Sequence, residues 1–483
     1  MSHLVLLFIV PLIASLLAFI TVGLSKKLFK RIACVLSAIP LAILLFEHHH
    51  WMGSEIHYDW IPALSIHFHL HVDGLSLAFL YLVAIITPIS LLAERSAAIS
   101  NPNVFYGLVL LVQGLLFGFF MARDLALFTL FWEAMLIPLY FIIALWGGVQ
   151  RQHAALKFLI YMIVGSSLMV AAVLGLFFVQ GSNTFNMDVL QSVAESAPYA
   201  PWICAIFLLA FAVKTPLFPF HAWLPDTYYQ APITGTILLS ALLSKAGIYG
   251  IIRIGIGFFP TILQSWSPIL IGLAITGTLY AGLAAWRQTD YKRLIAYSSL
   301  AHVNFILVGL FVWNEAGQLG ATLQALNHGV TIAALFLIAG WLEDRLHSTA
   351  FTAGQGLAAY FPKLCWLTLF FVIASVALPG TNNFVGELLI LYGLFAEHPW
   401  ATAVLGTTVI LSVIYMLRFM QKLYFETASP QQPNWHDIRL RELVTALPLV
   451  ALILWVGIYP APLMKLLETP TNPTVALHME LPR

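Results

Sequence analysis

Residues 202–224 read WICAIFLLAFAVKTPLFPFHAWL, an apolar run with Lys214 at its middle and Pro216 and Pro219 just behind it. About twenty apolar residues cross the hydrocarbon of a bilayer as a helix, so the run reads as a membrane span. Proline has no N–H to donate and its ring crowds the preceding turn, so this span is broken beside its charge. Three more charges sit in similar runs: Glu133 in LFWEAMLIPLYF (130–141), Lys245 in LLSKAGIYG (242–250) and Glu387 in NNFVGELLILYG (382–393). An ionisable group inside a span costs at least a few kcal/mol, which makes each one a functional-site hypothesis. Two acids and two lysines placed this way suggest ion movement.

The rest of the chain agrees with a membrane setting. Of its 483 residues 60% are hydrophobic and 9% charged, with a mean hydropathy of +0.90. Spans fall near 4–22, 32–46, 73–93, 104–122, 125–146, 154–179, 202–224, 230–254, 267–286, 293–313, 317–341, 363–396, 401–425 and 442–464, about fourteen in all. Backbone amides in lipid must be bonded inside a helix or a closed barrel, and these runs are too long and too uniformly apolar for barrel strands. The class is an all-α integral membrane protein with no room for a sizeable soluble domain. A net charge of +1 gives no sign of nucleic acid. Cys34, Cys204 and Cys365 lie far apart in apolar runs, without the paired spacing of zinc or iron–sulfur ligands, and read as core packing. The opening MSHLVLLFIVPLIASLLAFITVGLSKK has no basic stretch before its apolar run and no small-residue cleavage site after it, so it reads as a retained first span.

Orientation follows from the basic residues. Of the 22 Lys and Arg, 16 fall on loops of one side (including Arg95), four on the other (Arg123, Arg253, Lys465 and Arg483), and Lys214 and Lys245 lie inside spans. The positive-inside rule then puts both termini on the outer side of the membrane. On that side, residues 64–73 read LSIHFHLHVD, with Ile66, Phe68, Leu70 and Val72 alternating against His67, His69 and His71. This is strand periodicity, and with EIHYDWIP and Pro62-Ala63 before it the segment predicts a small outer β-hairpin. Three histidines on one strand face could bind zinc or copper. The expectation is a wet polar face without metal, because no carboxylate or cysteine completes the set except Asp73.

The twelfth span is broken as well: ALPGTNNFVGE (377–387) puts Pro379, Gly380 and two asparagines in an apolar run. Irregular backbone at membrane depth needs protein or a wet cavity to satisfy it. Spans four to eight and nine to thirteen each hold five helices, and the broken one is fourth in both, the pattern of an inverted-repeat transporter with its ion site near the midplane. The expected units are 1–103, three helices and the hairpin; 104–260, a first five-helix repeat; 261–425, a second; and 426–483, a last helix and tail.

Glu133 and Lys214 are natural partners, since an opposite charge nearby keeps both ionised where burial alone would neutralise them. A pair that opens and closes lets a lysine alternate between charged and neutral forms, as a proton carrier must. His302 in SSLAHVNF and His328 in ALNHGVTIAALF fall inside spans ten and eleven among Ser298, Ser299, Asn304, Asn327 and Thr331, side chains able to anchor water. These two histidines supply intermediate steps. His221, beside the LPD turn, fixes that turn or faces a cavity. RIGIGFF (253–259) lacks the third glycine and the preceding strand of a dinucleotide site, and no phosphate-binding loop appears. Energy must come from an ion gradient or a partner.

FWEAMLIPLYFIIALWGG, FAVKTPLFPFHAWLPDTYYQAPITG, YKRLIAYSSLAHVNF and LPGTNNFVGE closely resemble the antiporter-like subunits of respiratory complex I, in particular their subunit-M branch, equivalent to mitochondrial subunit four. The resemblance covers nearly the whole chain. It implies fourteen helices with two inverted five-helix repeats, and a proton-translocating membrane subunit of an NADH:quinone oxidoreductase in the bacterial inner membrane. It also implies that NADH, FMN, iron–sulfur clusters and quinone belong to partner subunits, with no cofactor and no redox catalysis in this chain. By matching motif, Glu133 and Lys214 are the coupling pair, Lys245 the central lysine, His302 and His328 the relay, and Glu387 the terminal group. The branch rests on Glu387, where sibling subunits and sodium/proton antiporter homologues carry lysine. Asn382-Asn383 and the threonine of VKTP read as local variation. The alternatives are a subunit of a multi-subunit sodium/proton antiporter or of a proton-pumping hydrogenase complex.

Overall fold

The computed structural model describes residues 3–21, 23–46, 51–94, 99–179, 184–427 and 435–468. Arg95 and Arg483, both used in the count of basic loops, lie outside them. Each expected span is helical. Helices α1 (His3–Ile20), α2 (Lys26–Phe46), α3 (Gly74–Ala93) and α4 (Pro102–Met121) pack together. They are followed by α5 (Leu125–Ala134) and α6 (Leu136–Trp146), then α7 (Arg151–Val179), a short α8 (Met187–Val193), α9 (Ala200–Lys214) and α10 (Trp223–Gln230). The eighth span runs from α11 (Ile233–Leu238) through a π-helical turn (Leu239–Leu243) and α12 (Ser244–Gly250) to a second π turn (Ile251–Ile256). The remainder is α13 (Pro260–Arg287), α14 (Tyr291–Phe311), α15 (Glu315–Leu346), α16 (Pro362–Ser375), α17 (Asn382–Glu397), α18 (Pro399–Met420), α19 (Leu440–Ile458) and a short α20 (Ala461–Leu467). Among the described residues 12 helices are long and apolar enough to cross a membrane. The other two spans are the broken pairs α9/α10 and α16/α17.

Burial sorts these helices. The eighth span is buried along its whole length, whereas α1 leaves Ile13, Leu16, Leu17 and Ile20 exposed, as a lipid-facing helix should. The eighth span is therefore the axis of the molecule, with α14 and α15 almost as deeply enclosed.

Both expected breaks are present. Lys214 ends α9, and the chain turns through Thr215 to Ala222 before α10 begins. After Ser375 the chain turns through Ala377 (φ 56°) and Gly380 (φ 93°), left-handed positions that glycine adopts freely and alanine does not. Two irregularities beside the charged residues were not expected. Span five is interrupted at Met135, three residues before Pro138, and the span of Lys245 carries π turns on both sides of that lysine. The first is the proline effect that Lys214's span also shows. The second leaves no residue-type signal.

The hairpin forms as its alternation requires. Strand β1 (Glu55–Ile61) pairs antiparallel with β2 (Ile66–His71), joined by a 3₁₀ turn over Pro62–Leu64 and left-handed Ser65. Leu70 and the following Val72 are fully buried, and Ile66 and Phe68 pack against the core. The hairpin is fixed to the start of α5, where the His67 amide donates to the Asp124 carboxylate (3.0 Å) and the Arg123 amide to the His69 carbonyl (2.9 Å).

Candidate proton-relay site

Lys245 occupies the middle of the buried axis with no surface exposed. Its ammonium donates to the Ser240 carbonyl (2.6 Å), one residue beyond an ordinary helical repeat and reached across the first π turn, and lies 3.0 Å from Nδ1 of His328 and 3.3 Å from the Ser244 hydroxyl. The π turn thus supplies a carbonyl to a lysine that has no acid beside it, a use of π geometry common at functional sites. His328 on α15 and His302 on α14 have ring centroids 5.5 Å apart. Nδ1 of His302 is 3.2 Å from a carboxylate oxygen of Glu387, which also accepts from the Gln324 amide at 3.1 Å. Four side chains from four helices therefore run Lys245, His328, His302, Glu387 across the middle of the bundle.

Proton transfer needs heavy atoms within about 2.6–3.2 Å, or one water between them. The two outer links of this row meet that distance directly, and the histidine–histidine step needs a bridge. Buried polar atoms without a protein partner among the described residues cluster here: Nε2 of both histidines, the Ser299 hydroxyl and Oε1 of Gln324. Such atoms are costly unless water bonds them. Glu387 also lines a cavity of about 20 Å³ with His302, Thr278, Ser412 and Tyr415, room for about one water.

Lys214 and Glu133 are arranged differently from the contact expected. No Glu133–Lys214 ion pair forms among the described residues. Lys214, 1% exposed, donates to the Trp132 carbonyl at 3.1 Å and sits 3.5 Å above the Trp132 ring. Its ammonium thus meets the residue before Glu133, whose side chain leaves the helix about a quarter-turn away. Glu133 is half-buried, near Ser166 of α7 and still within electrostatic reach of Lys214. The pair is open. Between Lys214 and Lys245 the backbones approach closely at Gly247, where a Cβ would lie 2.8 Å from the Thr215 amide nitrogen.

Asparagines hold both breaks, a role different from the water anchoring expected of Asn304 and Asn327. Asn304 on α14 donates to the Pro216 carbonyl (3.2 Å) and accepts from the Phe218 amide (3.2 Å). Asn327 on α15 donates to the Asn382 carbonyl (2.7 Å), while the Asn382 amide returns a bond to the Asn327 carbonyl (3.0 Å) and Thr331 bonds its oxygen. Asn383 donates to the Ala374 carbonyl (3.0 Å) across the break. Asn382 and Asn383 thus tie the second break to α15 and α16. The ring of His221 packs on Phe218 and Tyr280, which fixes the turn. It does not line the larger cavity, about 390 Å³, walled by Glu94, Gln230, Lys292, Glu343 and His347 at the ends of helices that carry the basic loops.

Asp73, the one carboxylate expected near the histidines, is engaged elsewhere. It caps α3 through the Ser76 amide (2.9 Å), meets both terminal nitrogens of Arg253 at 2.6 Å and takes Arg123 at 3.1 Å. Burial alone pushes its carboxyl up, but Arg253, then Arg123 and the Ser76 amide, hold it well below the usual carboxylate range. Arg253 lies in the second π turn and is 2% exposed, not on a loop. The three cysteines are free, as core packing requires.

A many-span helical membrane protein with a row of titratable side chains at mid-depth defines the class. Within it, residues 122–414 match the family described as NADH:quinone oxidoreductase/Mrp antiporter, transmembrane, and the chain belongs to that family. NADH-quinone oxidoreductase subunit M of Pseudomonas aeruginosa is 35% identical, over 95% of this chain and 95% of its own. A chain of respiratory complex I from Thermus thermophilus, solved with bound NADH, superposes with a TM-score of 0.90 at 30% identity, covering 99% of this chain and 100% of that one. A chain of the Mrp complex from Dietzia superposes with a TM-score of 0.87 at 22% identity, over 99% of this chain and 97% of that one, a likeness of fold alone.

Proposed function

We propose that the chain is a proton-translocating membrane subunit of an NADH:quinone oxidoreductase, in which the row Lys245–His328–His302–Glu387 carries protons sideways at mid-membrane depth. The observation behind it is the alignment of that row, in which links of 3.0 and 3.2 Å join Lys245 to His328 and His302 to Glu387 and the two histidine rings stand 5.5 Å apart between them, four ionisable groups that lipid and burial would otherwise exclude. Relatives similar over nearly the whole chain bear the name NADH-quinone oxidoreductase subunit M, which favours this reading over a sodium/proton antiporter or a hydrogenase subunit.

In the proposed cycle Lys245 gives a proton to Nδ1 of His328. His328 passes one to His302, and His302 to the carboxylate of Glu387, which releases it towards the outer side. The Lys214 ammonium alternates between its bond to the Trp132 carbonyl and contact with Glu133, and its electrostatic field decides whether Lys245 holds its proton. The half-buried Glu133 is on a spanning helix, and a carboxylate facing lipid is costly, so a neighbouring membrane subunit covers it. NADH, FMN, iron–sulfur clusters and quinone act in partner subunits. The membrane is the bacterial inner membrane, with both termini outside.

The two five-helix units, 104–260 and 261–425, are read as inverted repeats. Asp124 caps α5 and Asp290 caps α14, each the second helix of its unit, and each forms a bridge to the loop after the third helix, at Asn186 and Ala350. Five spans apart, the two caps lie on opposite sides of the membrane, as inversion requires.

Glu133→Ala and Lys214→Ala are expected to leave the assembly intact on a native gel and to lower proton pumping by reconstituted vesicles several-fold. Full pumping by assembled variants would remove the pair from the mechanism.

A further inference from the structure

The register of the hairpin brings together residues that the sequence keeps apart. Glu55 faces His71, His57 faces His69 and Asp59 faces His67. Side chains alternate along a strand, so all six stand on the face opposite buried Ile56 and Leu70. Two carboxylates and a fourth histidine thereby join the histidines of β2, supplying the ligands whose absence from the sequence spacing argued against metal. Glu55, His57 and His69 offer ligand atoms that all lie within 4.8 Å of one another, and His57, Asp59 and His67 do the same. The His57 ring stacks 4.8 Å from that of His69 and lies 5.1 Å from that of His67.

We infer that this outer hairpin face binds one divalent transition-metal ion of the zinc type, held by His57, His69 and Glu55, with His67 and Asp59 as an adjoining set that shares His57. Two imidazoles and one carboxylate are a ligand set that zinc accepts, with water in the fourth position. Nε2 of His69 and the Glu55 carboxylate bond each other at 2.7 Å. Ligands about 2.0 Å from a tetrahedral ion sit about 3.3 Å apart, so this pair opens slightly while separations of up to 4.8 Å in the set close. Because His57 belongs to both sets, the hairpin takes one ion and not two. The bound ion joins β1 to β2 and stiffens the hairpin against the start of α5.

The test measures zinc in the purified assembly that contains the chain. After chelation and dialysis it is titrated with zinc chloride against a competing chromophoric chelator, as wild type, His57→Asn/His69→Asn and His71→Asn. Wild type and His71→Asn are expected to hold one more equivalent of zinc per chain than the double variant, whose affinity at this site falls by about tenfold or more. The zinc absorption edge of the loaded wild type should show nitrogen and oxygen ligands at about 2.0–2.2 Å and no sulfur, a reading that needs no variant to fold. Equal zinc in wild type and double variant, equal loss in His71→Asn, or sulfur ligation would each overturn the site.

Discussion

Glu387 differs in chemistry from the lysine expected at its position in related subunits, and its neighbours explain how a carboxylate fits. Gln324 donates to it and His302 stands 3.2 Å away, so the site offers donors that favour an acceptor. A lysine there would face a histidine and an amide with no anion nearby. Glu387→Gln keeps the size and removes the titration, and is expected to assemble normally and pump several-fold less. Glu387→Lys is expected to retain more pumping than Glu387→Gln, because the relay needs a group that titrates. Vesicle acidification by the two assembled variants decides the matter, and wild-type rates in both would remove Glu387 from the path. The six candidate relay residues are legible in the sequence, because lipid makes a charge or a lone imidazole in an apolar run conspicuous. Gln324 and Asn304 are not, since a neutral amide in a span carries little cost and its partner is known only once helices pack.

The elements are read with the same mixed success. Proline and glycine mark both broken helices, and strand alternation marks the hairpin. The π turns around Lys245 leave no trace, because their residues LSALL and IIRIGI suit an ordinary helix. The cross-strand partners Glu55, His57 and Asp59 also escaped, because register depends on pairing and not on local pattern. Close packing of the axis against the first break leads to a prediction at Gly247. An added methyl would press on the Thr215 amide, a backbone atom that cannot step aside. Gly247→Ala is expected to cost about 1–3 kcal/mol by overpacking and to lower pumping by shifting Lys245 relative to Lys214. An unchanged melting temperature with full pumping would show that the contact is slack.

Asp73 joins α3, the second π turn and Arg123 into one clamp. Asp73→Asn leaves the fully buried Arg253 without its anion, at a typical cost of about 3–5 kcal/mol, seen as a lower melting temperature. The folded carboxyl titrates below its unfolded value of about 3.9. Its contribution is therefore complete above about pH 5 and is lost as pH falls through the folded value. Wild-type stability should show no loss from this clamp between neutrality and about pH 5, and the gap between wild type and Asp73→Asn should narrow only in stronger acid. A gap that narrows near neutrality would mean the carboxyl is not held low.

At the scale of the molecule, fourteen spans, two breaks and one hairpin follow from hydropathy, punctuation and alternation. What hydropathy does not contain is which charges meet. Glu133 and Lys214 look like a contact pair in the sequence and stand open in the structure, whereas Lys245 meets His328, His302 meets Glu387, and the two histidine rings face each other between these pairs. The central claim is that this row is the proton path, and it is tested most directly by the number of protons moved per NADH oxidised in reconstituted vesicles carrying Lys245→Ala. An assembled complex whose ratio falls below that of the wild type is expected, since the row then loses its first carrier. An unchanged ratio in fully assembled complex would contradict it.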